Sequence, residues 1–209
     1  TMKKMFFSLI LVMSVCYVSK AQERAWGLRL GSNFATFNEK VDEGSATDYK
    51  YKAGFRLGVI RDFGISENFY IQPGLYFTMG GAIQKTDRYQ DLTCNLGYLQ
   101  FPVLFSYRIG LNDYTKLHLN AGPYLAYGVC GKMKYAGEKI NAFGDGEYEG
   151  GLKRFDAGLS FSAGISFDRF YWSIGYDLGL TEIFDEDSWE LNGVKTRNRN
   201  IFISLGYNF

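Results

Sequence analysis

The chain has one histidine, His118. Hydrolysis or acyl transfer needs a nucleophile, a base and an orienting group within reach of one another. His118 falls on the small, polar face of an alternating run, LHLNAGPYLAYGV (117–129), and no serine or carboxylate cluster is expected at its height. A lone inward imidazole of this kind predicts a packed, hydrogen-bonded residue, and no enzyme. Five charges share that inward parity in other runs: Arg29, Arg56, Arg154, Asp156 and Asp177. Buried charges are costly unless paired, so these are expected to pair with one another and with neutral His118 across a narrow interior. Cys94 and Cys130 each stand eighteen residues from Asn112, the centre of a predicted turn, which places them near-opposite at one rim. That predicts a disulfide or a close thiol pair. The segment 182–190 carries Glu182, Asp185, Glu186, Asp187 and Glu190. Clustered carboxylates suit a divalent cation, but this spacing matches no EF-hand, and acidic runs are usually solvated. No cofactor is expected.

The elements that must position these groups are strands. Side chains alternate between the faces of a strand, and eight runs alternate large apolar residues with small or polar ones: about 24–37, 52–63, 69–80, 94–108, 116–130, 153–167, 170–180 and 201–209. The run FDAGLSFSAGISF (155–167) sets Phe155, Leu159, Phe161, Ile165 and Phe167 against Asp156, Gly158, Ser160, Ser162 and Ser166. The connections alternate too, short near 65–68, 109–115 and 168–169, and long, polar and charged near 38–51, 81–93, 131–152 and 181–198. An even strand number with short turns at one end and long loops at the other is the pattern of an outer-membrane barrel. The fold expected is all-β: an eight-stranded antiparallel up-and-down transmembrane β-barrel. A soluble barrel would turn its aromatic faces inward. Here the Gly- and Ser-rich faces suit a narrow interior and the aromatic faces suit lipid, with Trp26, Trp172, Tyr107, Tyr127 and Tyr207 as interfacial girdle candidates.

Composition and the ends agree. Hydrophobic residues make up 46% and aromatics 18%, with 25 glycines and no run long enough for a membrane helix. Lys3 and Lys4 precede an apolar run, Met5–Val18, and Ser19-Lys20-Ala21 supplies small residues. This predicts a secretory signal at 1–21 and a single barrel domain over 22–209. Losing three lysines takes the net charge from +1 to −2, which leaves no basic surface for nucleic acid. The final run, IFISLGYNF, ends on Phe209. As an open edge it would be adhesive; closure against 24–37 covers it, and the terminal aromatic suits an assembly signal for barrel-insertion machinery.

Several segments resemble the PorT-like outer-membrane β-barrel proteins, often called the porin family: GLRLGSNFATF (27–37), AGFRLGVIRDFGISENFYIQPGLYFTMGG (53–81), YLQFPVLFSY (98–107), GPYLAY (122–127), FDAGLSFSAGISF (155–167) and YDLGL (176–180). In order and spacing they cover essentially the whole of 22–209. The chain departs from the resemblance at Gly74 and Gln100, where that family often carries a carboxylate. The resemblance implies the fold and the outer membrane of a Gram-negative-type envelope. It implies little about activity beyond the namesake's tie to protein secretion. The expected role is that of a monomeric, non-catalytic structural or interaction module with a side-chain-filled lumen. Its partners would be membrane lipid, the insertion machinery and an envelope or extracellular protein met through the long loops. A small-solute transport or binding barrel is the alternative, and an envelope enzyme around His118 is the third reading.

Overall fold

The computed structural model describes residues 26–41, 49–84, 92–135, 138–143, 149–184 and 194–209. The expected signal segment 1–21 lies outside them, as do Asp185, Glu186, Asp187 and Glu190 of the acidic loop. Among the described residues there is no helix.

Alternation sets the architecture. The strands are β1 (Trp26–Val41), β2 (Tyr49–Arg61), β3 (Phe63–Gly64), β4 (Phe69–Gln84), β5 (Leu92–Gly110), β6 (Thr115–Tyr135), β7 (Glu138–Phe143), β8 (Glu149–Leu152), β9 (Phe155–Phe167), β10 (Phe170–Gly179) and β11 (Val194–Asn208). Eight of them, β1, β2, β4, β5, β6, β9, β10 and β11, run antiparallel in that order. The sheet closes where β1 pairs with β11, from Gly27↔Asn208 to Val41↔Val194. Phe209 N donates to Trp26 O at 2.8 Å and extends that seam by one bond. The fold is the closed, eight-stranded antiparallel barrel that the alternation predicts. β3 is a short addition beside β4, and β7 and β8 form a flap beside the outer end of β6.

Both faces follow the parity. Phe105 is 58% exposed on the outside while the next residue, Ser106, is fully buried inside. Leu28, Leu30, Phe55, Leu99, Phe101, Leu125, Phe161 and Leu205 all point outward and are exposed. So continuous an apolar belt needs an apolar solvent. Aromatic contacts cluster at the end that holds the short turns: Phe69–Tyr107 at 4.8 Å, Phe170–Tyr207 at 5.6 Å and Tyr207–Phe209 at 5.4 Å between ring centroids. Trp26 and Trp172 lie at the same end, and Tyr127 lies toward the opposite one.

The turns have local causes. Asn112 Oδ1 accepts from the backbone N–H of Tyr114 and Thr115, at 3.0 and 2.8 Å, and ends the β5–β6 hairpin. Asp168 adopts φ 51°, a left-handed conformation that Asp tolerates better than most residues, and closes the two-residue β9–β10 turn. At the other end the strands run further than their apolar alternation: β1 to Val41, β4 to Gln84, β6 to Tyr135, and β11 from Val194. In Lys195-Thr196-Arg197-Asn198-Arg199-Asn200 the apolar alternation is gone from both faces: Lys195 is exposed, while Asn198 and Asn200 turn inward to donate to Asp156 and Asp177.

Candidate functional site

An eight-stranded barrel encloses only enough space for side chains, and here they stack in tiers. At the short-turn mouth, Arg108 Nη2 lies 2.7 Å from Asp62 Oδ2, and Gln72 Nε2 donates to Asp62 Oδ1 at 2.7 Å. The Arg108 guanidinium also stacks 3.8 Å from the Tyr70 ring centroid. Arg29 donates to Asn208 Oδ1 at 2.8 Å and lies over Tyr171 at 4.4 Å. Beneath this tier a chamber of about 310 Å³ opens to the outside, bordered by Asp62, Arg108, Lys116, His118 and Ser166.

The middle tier is built on Arg56 and Asp177, both buried, with Nη1 and Oδ2 3.6 Å apart. The guanidinium is sandwiched between Phe202 at 3.8 Å and Tyr76 at 4.5 Å. Asp177 also accepts from Ser160 Oγ at 2.6 Å and Asn200 Nδ2 at 3.0 Å. One tier up, Asp156 accepts from Thr181 Oγ1 at 2.7 Å, Asn198 Nδ2 at 3.0 Å and Tyr124 Oη at 3.2 Å. Among the described residues it has no ion-pair partner, and three neutral donors hold the carboxylate. Small chambers of about 60 and 20 Å³ flank the middle tier.

An apolar cap closes the outer end. Phe37, Ala82, Cys94, Leu96, Met133, Ala142, Phe143, Leu152 and Ile183 form one buried cluster. The Phe143 ring lies where side chains at Gly128 and Gly131 would be; a Cβ on Gly131 would stand 2.7 Å from it. The two glycines therefore admit the flap against the barrel wall.

Five of the six expected lumen residues, Arg29, Arg56, Asp156, Asp177 and His118, are buried inside the barrel. Arg154 is not among them. β9 begins one residue later, at a bend, and Arg154 donates to Gly128 O at 3.0 Å and lies 5.2 Å from the Phe143 ring, as part of the cap. Asp62, Arg108 and Gln72 were missed, although each has the inward parity of its strand. Gln100 is buried inside. The inward space at Gly74 is taken by Tyr76 and Ile60, whose atoms would stand 2.8 and 3.1 Å from a Cβ there.

Two expectations need correction. A serine does stand beside His118: Ser166 Oγ is 2.9 Å from its Nε2. His118 pairs with Gly164 in the ladder, and Ser166 is the diagonal neighbour two residues on, reached only in this register. Among the described residues the other ring nitrogen, Nδ1, has no carboxylate partner, so the pair lacks the orienting member of a triad. The cysteines are not bonded. The β5–β6 hairpin centres one residue beyond Asn112, as Gly110↔Lys116 shows, and a bulge at Gly97/Tyr98 adds a further slip, so Cys94 faces Met133 and Cys130 faces Gly97. An odd offset also turns the thiols to opposite faces: Cys94 is buried in the cap and Cys130 is exposed outside.

Closed walls, a lipid-facing belt and a packed polar lumen define an integral β-barrel of the outer membrane. The family of the outer membrane protein beta-barrel domain matches residues 20–185, and the chain belongs to it. No curated protein sequence matches the chain. Among solved structures, the chain is similar to Ail, the attachment invasion locus protein of Yersinia pestis, at 17% identity and a TM-score of 0.46, with 90% of this chain and 100% of that one covered. It is similar to Neisserial surface protein A at 15% identity and a TM-score of 0.47, with 88% and 97% covered. For OprG of Pseudomonas aeruginosa the identity is 12% and the TM-score 0.48, with 90% and 97% covered.

Proposed function

We propose that this chain is a monomeric, non-conducting and non-catalytic outer-membrane barrel of the PorT-like kind, which acts as an interaction module through its outer loops and the β7–β8 flap. The observation that carries this reading is a lumen occupied at two levels, by the buried Arg56–Asp177 tier within and by the apolar cluster around Phe143 above. A barrel so filled spends its interior on rigidity and leaves the loop end as the surface for recognition. The partner fits an envelope or extracellular protein, with a link to protein secretion suggested by the family resemblance. The insertion machinery would engage the terminal strand during assembly.

The test is affinity capture from intact envelope with the segments 42–48, 85–91, 144–148 and 185–193 deleted one at a time. Loss of one specific envelope protein on deletion of one loop is the expected result. An identical set of co-purifying proteins from every deletion, or none from the intact chain, would contradict it. The small-solute alternative draws support from the chambers along the lumen, and conductance separates the two.

A further inference from the structure

On the outer surface of the barrel, just above the apolar belt, β5, β6 and β7 hold a compact grid of polar side chains. One row is Thr93, Lys134 and Lys139, and the next is Asn95, Lys132 and Asn141, as the cross-strand registers set them. Lys134 and Lys139 are directly opposed, and Lys132 lies two residues along the same face. All three lysines are exposed. Directly opposed like charges destabilise a ladder, and none of these ammonium groups has a carboxylate partner among the described residues. The inward neighbours Met133 and Ile140 belong to the cap and its packing shell, so the lysines cannot turn in to escape one another.

Position identifies the anion. Down β6 from Lys132 the outward residues become apolar: Val129, Tyr127, Leu125 and Leu119. From Leu117 to Val129 a strand tilted as in such barrels rises about 30 Å, the thickness of the hydrocarbon layer. Lys132 therefore stands at headgroup height on the lipid-facing side. Opposed positions in neighbouring strands are about 5 Å apart and i,i+2 positions about 7 Å, so three ammonium groups and an Asn amide can surround one phosphate. We propose that Lys132, Lys134 and Lys139, with Asn95 alongside, bind the phosphate group of a lipid in the outer leaflet. The bound anion relieves the like-charge pair, and the lipid's chains lie along the apolar face of β6.

The experiment is native mass spectrometry of the purified barrel in neutral detergent, titrated with phosphatidic acid or with phosphatidylcholine. The intact protein should retain phosphatidic acid at least tenfold better. K132Q/K134Q/K139Q should lose most of that preference, each single Gln variant should lose two- to threefold, and K50Q/K195Q, which removes exposed lysines elsewhere on the rim, should keep it. The triple variant should unfold at the same urea concentration as the intact protein or a higher one, since it sheds a repulsion. Equal retention by the intact protein and the Gln variants overturns the site. Inorganic phosphate that competes as well as the lipid overturns the lipid assignment.

Discussion

Replacing Arg56 with Met tests the middle tier most sharply. The change keeps an unbranched stem and removes the guanidinium that lies 3.6 Å from Asp177 and between the Phe202 and Tyr76 rings. Desolvated cation–π contacts are worth about 2 kcal/mol, and removing one member of a buried ion pair costs roughly 3–5 kcal/mol because the partner charge is stranded. The two contributions overlap, since both follow from the same buried charge. Asp177 keeps its bonds from Ser160 and Asn200. The net expectation for Arg56→Met is therefore about 3–5 kcal/mol, and Asp177→Asn, which strands the arginine, should cost a similar amount. The double variant R56M/D177N strands no charge, so the coupling energy should be about 2 kcal/mol or more. The assay is equilibrium urea unfolding of the barrel in lipid vesicles, followed by tryptophan fluorescence. A single-variant cost below about 1 kcal/mol, the level of an exposed pair, or a double-variant cost equal to the sum of the singles, would refute this account of the tier.

Phe143→Ala should empty the cap, lower stability by about 3–5 kcal/mol, and speed protease cleavage at the outer loops, as read by limited proteolysis. Gly128→Ala pushes a methyl group into the same ring and should cost about 1–3 kcal/mol by overpacking, measured in the same urea series. Ser166 should not be labelled by a fluorophosphonate probe, because among the described residues no carboxylate orients His118 as a base; covalent labelling that disappears in His118→Ala would show otherwise. Under native conditions maleimide should modify Cys130 and spare Cys94, both should react after unfolding, and a non-reducing gel should show no internal disulfide.

Most of the wall and its parity were legible in the residues, because alternation is a local property of each strand. Arg29, Arg56, Asp156, Asp177 and His118 turned out to be inside for that reason alone. Register is not local. The Ser166–His118 contact is a diagonal between β6 and β9, and the Cys94–Cys130 expectation failed on a hairpin centre one residue away and a single bulge. Asp62 and Arg108 had the right parity but stood at the ends of the runs 52–63 and 94–108, and their ion pair forms only where the closed barrel brings those ends together at the mouth. The cap was the least legible part. Ala142, Phe143 and Ile183 lie in long connections without alternation, and Phe143 packs over Gly128, which reads only as a small lumen residue, and over Gly131, which falls in the connection 131–152. The lysine grid was hidden likewise, since Lys139 meets Lys134 only once β7 folds back on β6.

The central claim is that the lumen is closed, and conductance in planar lipid bilayers tests it most directly. The purified barrel, inserted at single-molecule density in high salt, should show no steady conductance steps. Steps of uniform size that persist through the recording would contradict a filled and capped interior, and would make this protein a channel.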